Sequence, residues 1–585
     1  MPLTYFTNLT VNTILSAFIK KKLIQVLLLL LFFTFIFLVC AHKVPPTGGP
    51  EDKTPPTILR HFPSADSVGI DHLDYLEVEF SEPIRSSTLV GNYWMMPALK
   101  NDFDVKLKGN KRVRFYLKDT LDKNQTYVFT LSPNVRDRRN NGLTQPFQLA
   151  FSTGPKLDRG SIRGRIYADQ KQRDVYVYAY LLQPGQNLDS LIYTPPRYYT
   201  QVDADGNYCL NYLSLQKYRL LALVDQNYNR TYTVETDLVG LPFMDVELDS
   251  AHSHFTNINF YLIQEDTTRP FVRSIDTLSH RHLKITMSEQ IKLSALFQVS
   301  LQDSLTGEKI MPIVWSLDPD QNDQLHLFFP ELVSGRKMFL QLQGFSDHVG
   351  NEPPPTQISF FSSARPDTST PILQKIIPAR GEKEVPFSTP IVAVFSVPID
   401  SVSYKKSFTL FAPDSSQLAG RFDFQNVLSP CFFPAENLKG NTTYQIQLAL
   451  FTLKDWWQRS FADTLIWQEF TTQDLNNLGE IAGMVHSTEY QDIQTIIEAY
   501  PLRGNQVFRT FSRPDRSYQL DDLPDGLYLL KAIIDRNRNG IWDKGTTVPW
   551  QFAEPFLFKA DTIRVRKRWT TQGIDLEFNF LESEK

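Results

Sequence analysis

Two short patterns recur along this chain, one three times and one twice, and their strand-length period restricts the fold more than any other feature. Each copy of the first pattern opens at a proline boundary: Thr54-Pro55-Pro56, Thr268-Arg269-Pro270 and Thr370-Pro371. An alternating strand then ends in a sharp break, over residues 77–84, 284–291 and 392–399. A later strand runs into an Asp-bearing turn, at Asp137, Asp347 and Asp455, and a closing strand ends each copy at Thr153, Ser363 and Thr472. The interval is 57 residues from Phe80 to Asp137, and 60 both from Met287 to Asp347 and from Phe395 to Asp455. Period-2 strands punctuated by Gly, Pro, Asn and Asp over about 100 residues are the pattern of a Greek-key β-sandwich.

The second pattern follows the first and third copies of the first. One copy starts Gly160-Ser161-Ile162-Arg163-Gly164, the other Gly479-Glu480-Ile481-Ala482-Gly483. Tyr208 to Tyr218 and Tyr518 to Tyr528 both span 10 residues, and Tyr208 to Asp225 and Tyr518 to Asp535 both span 17. Matching residue types at two identical intervals mark a duplication. Again the local period is that of strands, and no helix of consequence is expected after residue 40.

Both patterns carry a family resemblance. The first, with its Phe80-Ser81-Glu82-Pro83-Ile84 break and its Asp347-His348-Val349-Gly350-Asn351 turn, resembles bacterial Ig-like domains of the S-layer-protein type. The second, clearest at Leu523-Pro524-Asp525-Gly526-Leu527-Tyr528, resembles the prealbumin-like or carboxypeptidase-regulatory-like β-sandwich, also known as the collagen-adhesin B-type fold. The resemblance implies an all-β chain of tandem β-sandwich modules, Ig-like and prealbumin-like, after an N-terminal signal or anchor segment.

The address is written at the start. Residues 23–39 form an apolar run of 17 residues directly after Lys20-Lys21-Lys22. That order is the order of a secretory signal, and the positive-inside rule sends everything after it out of the cytoplasm. The run is long for a signal core and marginal for a bilayer span. It reads either as a cleaved signal peptide or as a retained anchor. Cys40 closes it, and the segment resembles a bacterial lipoprotein signal, in which such a cysteine is acylated and becomes the mature N-terminus. Residues 42–56 follow as a Pro/Gly/charge tether, similar to that of Bacteroidetes-type lipoproteins with Ig-like domains.

Composition excludes several classes. Aromatics are 13% of the 585 residues, too many for a wholly disordered chain. The net charge is −4, and loss of the three lysines before residue 40 would take it to −7. No basic excess exists to neutralise phosphates, so nucleic acid is not an expected partner. Cys209 and Cys431 fall in different modules and are not expected to pair.

Candidate chemistry is sparse. The run from Asp535 through Asn537, Asn539 and Gly540 to Asp543 reproduces the front of an EF-type calcium loop, with Thr546 where the bidentate Glu would stand. The duplicate offers Asp225, Asn227 and Asn229, with Arg230 in place of the glycine. Calcium is one reading; the other is an Asx-turn network in which these side chains cap backbone N–H groups. The pairs His252/His254 and His280/His282 read as solvated surface histidines rather than zinc ligands. Trp456-Trp457 and the stretch Pro195-Pro196-Arg197-Tyr198-Tyr199 read as sugar platforms or as buried aromatics. No signature of a catalytic nucleophile, metalloprotease helix or phosphate loop occurs, so no enzyme is expected.

The expected layout is a signal or anchor at 1–39, the tether at 40–56, Ig-like sandwiches at 57–156, 266–366 and 367–474, and prealbumin-like sandwiches at 157–265 and 475–585. The expectation is a row of separately cored bundles forming an elongated, noncatalytic envelope scaffold. It would be held at the membrane through Cys40, outer-membrane and extracytoplasmic, with envelope proteins or glycans as partners. A calcium-dependent glycan-binding or adhesive protein, and an accessory subunit of a polysaccharide-processing complex, are the alternatives.

Overall fold

The computed structural model describes residues 21–22, 26, 52–185, 190–367 and 370–581. Cys40, the apolar run before it apart from residue 26, and most of the tether lie outside the described residues.

The fold is a tandem series of β-sandwiches. In the first, strands Tyr75–Phe80 and Arg112–Tyr116 pair at the centre of one sheet, flanked by Ile58–Phe62 and Asp104–Lys108. The facing sheet joins Tyr93–Met96, Thr126–Leu131 and Phe147–Ser152. Alternation does the sorting: Leu76, Val78 and Phe80 are 0% exposed while their neighbours face outward. Each such apolar side chain contributes about 1.5–3 kcal/mol by burial. The third and fourth sandwiches repeat the strand order of this sheet, with His282–Met287 and Ile391–Phe395 in the place of Tyr75–Phe80. One short α-helix, Ser401–Ser407, interrupts the fourth, started by Asp400, whose carboxylate accepts from the Ser403 N–H.

The recurrent turn aspartates are buried polar anchors. Asp137, Asp347 and Asp455 are at most 1% exposed, and each carboxylate accepts successive backbone N–H groups of its own turn. Tyr127 and Tyr444 repeat a second device, their hydroxyls each accepting a backbone N–H five residues upstream, from Asp122 and Lys439. Met338 stands at that place in the third sandwich, without the hydroxyl.

In the duplicated sandwiches, strands Gly160–Tyr167 and Leu478–Ser487 each pair antiparallel on one side and parallel on the other. Their glycines are demanded by close approach. A Cβ on Gly164 would sit 2.0 Å from the Ile258 carbonyl oxygen, and one on Gly483 2.1 Å from that of Ile574. The paired tyrosines also match in role: Tyr208 donates to the Ile258 carbonyl at 2.7 Å, and Tyr518 donates to that of Ile574. Tyr218 and Tyr528 each donate to the carbonyl four residues upstream, of Ser214 and Pro524.

The first, third and fourth sandwiches have cores of their own, but the expectation of separately cored bundles fails for the second and fifth. One continuous apolar cluster takes in Trp94, Met96 and Val128 of the first sandwich, most of the second core and most of the fifth. Thr126–Leu131 is buried at all of its six positions for this reason. Tyr127, Phe129 and Leu131 point into the first core, while Val128 points at the second sandwich. The fifth sandwich closes back on the second: Thr256 N–H donates to the Phe580 carbonyl at 2.9 Å, and Ala553 N–H to that of Pro242 at 3.0 Å. The third and fourth sandwiches meet separately, through Ser316 and Asn426 at 2.6 Å and the rings of Phe328 and Trp457 at 5.8 Å.

Candidate functional site

Closure of the fifth sandwich on the second creates a cleft of about 1630 Å³ whose walls come from the first, second and fifth sandwiches. The second sandwich supplies one wall by strand alternation: Ile162 points into the core, while Arg163 and Arg165 point out. Asn207, Cys209 and Asn211 alternate in the same way on the neighbouring strand, and Asn211 reaches across to Gln148 of the first sandwich at 3.1 Å. Asp575 and Glu577 of the fifth sandwich face them with Tyr167, Tyr261 and Phe558. Amides, guanidinium groups, carboxylates and phenolic rings thus converge in one open recess, a set suited to hydrogen-bonding and stacking against a polar polymer.

Beside the cleft, the joint itself is built from buried charges. Arg219 is 4% exposed, makes a fork with Asp245 at 2.8 and 2.9 Å, and lies 4.4 Å from the Trp550 ring of the fifth sandwich. Glu265 is 8% exposed and accepts from Tyr232 at 2.8 Å and from the Thr547 N–H at 2.7 Å. Lys531 pairs with Glu498 at 2.7 Å beneath Trp542, which in turn packs on Tyr261. Burial works against the Glu498 charge, but hydrogen bonds from Lys531, Tyr500 and Arg509 hold its carboxyl below the usual range. Burial also pulls the Lys531 ammonium below its usual range, partly offset by Glu498. Every member of this network is engaged by another, which is the arrangement of an ion-paired joint. None of it was legible as a site, because its members are far apart in sequence.

The structure does bring Asp535, Asn537, Asn539 and Asp543 together, and shows what they hold. Asp535 accepts from the N–H groups of Asn539 and Gly540, and the Asn539 side chain accepts from Ile541 N–H at 2.7 Å. The amide groups of Asn537 and Asn539 both donate to one oxygen of Asp543, at 2.6 and 3.1 Å. The duplicate reproduces this with Thr233 at the position of Asp543: Asn227 and Asn229 donate to its hydroxyl at 2.9 and 3.3 Å, while Asp225 accepts from Asn229 and Arg230. Glu554 and Asp237 complete the two loops by accepting from backbone N–H groups. The asparagine oxygens accept from loop N–H groups while their amides donate to Asp543, the hydrogen-bond pattern of an Asx-turn network.

Other singled-out residues disperse. His252 meets Asp249 and His254 meets Ser161 on the surface. His282 departs from the surface reading: its ring contacts His326 at 2.8 Å and stacks on Phe328, and burial pulls it down to about 3. Tyr198 and Tyr199 are buried strand residues, and Trp457 packs on Phe328 at the joint of the third and fourth sandwiches. Cys209 and Cys431 form no disulfide. Cys40 lies outside the described residues.

Residues 52–153 and 367–472 match the bacterial Ig-like domain family. No curated protein matches the chain. Among solved structures, an L,D-transpeptidase in complex with imipenem is 14% identical, covering 26% of this chain and 52% of that one at a TM-score of 0.16. The chain therefore spans about half the length of that structure. Domains 1–6 of the surface layer protein SbsC are 10% identical, covering 83% of this chain and 66% of that one at a TM-score of 0.14. The native conformation of E. coli alpha-2-macroglobulin is 10% identical, covering 87% of this chain and 34% of that one at a TM-score of 0.14. Scores this low carry no argument about function. Those two segments are thus similar to bacterial Ig-like domains, and the described residues form tandem β-sandwiches.

Proposed function

We propose that this chain is a noncatalytic scaffold of the cell envelope, anchored at the outer membrane through an acylated Cys40 and presenting the cleft between its closed sandwiches to an envelope protein or glycan. The observation that carries this reading is the closure of the fifth sandwich on the second. The buried Arg219–Asp245 pair and Glu265 are spent on the joint of these two sandwiches, and amides, guanidinium groups and carboxylates line the open cleft beside it. The export signal in the sequence supports the address. Palmitate labelling of the wild type against Cys40→Ala, with membrane fractionation, tests it: label and membrane association should both be lost in the variant. Recovery of the wild type in the cytosol would defeat the proposal.

Glycan binding is favoured by the composition of the cleft walls, where Tyr167 and Tyr261 lie among arginines, asparagines and carboxylates. Binding on a glycan array that falls in Arg163→Ala would support it; an array blank for the wild type would count against it. An accessory role in a polysaccharide-processing complex is one setting for the same cleft, tested by crosslinking partners from membranes. In the loops at 225–230 and 535–543 we read turn closure by hydrogen bonds in preference to calcium.

A further inference from the structure

Two of the three sandwiches of the first kind carry one acidic constellation, and the third alters it in a way that points to a ligand. In the third sandwich, Asp266, Glu289 and Asp347 bring one carboxylate oxygen each within 4.8 Å of one another. Asp266 lies on the segment entering the sandwich, Glu289 follows strand His282–Met287, and Asp347 is the buried turn aspartate. Asn351 ties two of them, donating to Asp347 at 2.7 Å and to the Asp266 carbonyl at 2.8 Å. The first sandwich has Asp52, Glu82, Asp137 and Asn141 at the corresponding sequence positions, its three carboxylates less closely gathered, with the same two contacts from Asn141, to Asp137 at 2.9 Å and to the Asp52 carbonyl at 3.0 Å.

The fourth sandwich alters two of these places together. Val397 stands where the Glu stands, and Arg459 where the Asn stands. The aspartates remain, as Asp367 and Asp455, and here they grip a cation: the Arg459 guanidinium bonds Asp455 at 2.6 Å and Asp367 at 3.0 Å. The same two aspartate positions therefore ligate a positive group in the copy that has lost the third carboxylate. Charge closes the comparison. Two carboxylates with a guanidinium leave a single negative charge, and three carboxylates with a divalent cation leave the same.

We infer that Asp266, Glu289 and Asp347 hold a divalent cation of the calcium class, and that Asp52, Glu82 and Asp137 form a second such site. Calcium takes oxygen ligands at about 2.3–2.6 Å in flexible geometry, so three carboxylate oxygens within 4.8 Å of one another fit around one ion, with water completing the shell. In the absence of a cation, Asp266, Glu289 and Asp347 crowd three carboxylates together, and they repel one another. The ion ties the entering segment to the sandwich body. Calcium then stiffens the joint between the second and third sandwiches and the joint at the tether, while Arg459 clamps the joint of the third and fourth permanently.

The test is calcium stoichiometry by titration calorimetry on the full chain, in detergent, after exhaustive chelation, with calcium chloride as the only probe. Glu289→Gln should bind one ion fewer than the wild type, and Glu82→Gln one fewer. Val397→Glu combined with Arg459→Asn should bind one more. Melting in chelator separates loss of a site from loss of fold: Glu289→Gln should melt no lower than wild type there, because it removes a repelled charge. A wild type that takes up no calcium, as expected if each triad only shares a proton, would overturn the inference. So would an unchanged stoichiometry in a folded Glu289→Gln.

Discussion

Acidification should loosen the third sandwich through His282. Its ring contacts His326 at 2.8 Å and stacks on Phe328 at 4.3 Å, and His326 in turn reaches Asp318 at 3.3 Å. With both rings neutral, the His326 Nε2–H donates to Asp318, and its Nδ1 accepts from the His282 Nε2–H. A proton added to His282 goes to Nδ1, outside that chain of donors, and places a positive charge in a buried ring beside His326. Burial first, then His326, pulls His282 from 6.5 to about 3, with Lys284 adding to the effect and Asp367 opposing it. Burial lowers His326 too, against Asp318. The folded pKa is depressed, so the unfolded chain binds the proton first. The stability His282 contributes is complete above pH 6.5, declines as pH falls below it, and goes on declining toward the folded value of about 3.

At about 1.4 kcal/mol per pKa unit, the proton refused by folded His282 costs about 2 kcal/mol at pH 5, roughly a 30-fold change in an equilibrium constant. Hydrogen exchange of strand His282–Met287 in the full chain, corrected for intrinsic rates, reads this directly. Protection should fall roughly 30-fold between pH 7.5 and pH 5. In His282→Gln, whose amide still donates to His326 but does not titrate, most of that fall should vanish. Equal protection at the two pH values, or the same fall in His282→Gln, would refute the reasoning.

Other perturbations follow from single contacts. Gly164→Ala and Gly483→Ala force a Cβ to about 2 Å from a strand carbonyl and should each destabilise their sandwich by about 3 kcal/mol or more, seen as lower denaturation midpoints. Arg219→Met removes the contact with Trp550 and strands Asp245, 13% exposed, without its partner; a loss of about 3–5 kcal/mol is expected, with faster proteolysis at the joint of the second and fifth sandwiches. Tyr444→Phe leaves the Lys439 N–H without its acceptor and should cost the fourth sandwich about 1–3 kcal/mol in urea melts. Asp543→Asn should leave calcium stoichiometry as in the wild type, because its carboxylate already receives the amides of Asn537 and Asn539; one ion fewer would restore calcium to that loop.

Much of the fold was legible, because strand period and turn chemistry are local. The turn aspartates Asp137, Asp347 and Asp455 were found as breaks in a pattern and proved to be buried anchors of their turns. The duplicated tyrosines kept their intervals because each bonds a carbonyl at a set place in its sandwich. Arg459 carried no signal in the local pattern. Its meaning needs Asp367, 92 residues away in the chain but in contact in space.

By itself, then, the sequence determined the β class and the two kinds of repeat, since each rests on neighbours a few residues apart. Only the tertiary structure decided that the fifth sandwich closes on the second, where the cleft opens, and which carboxylates face one another. Thr547 and Glu265 meet across 282 positions. No periodicity encodes such a contact, because it arises from the fit of two finished surfaces.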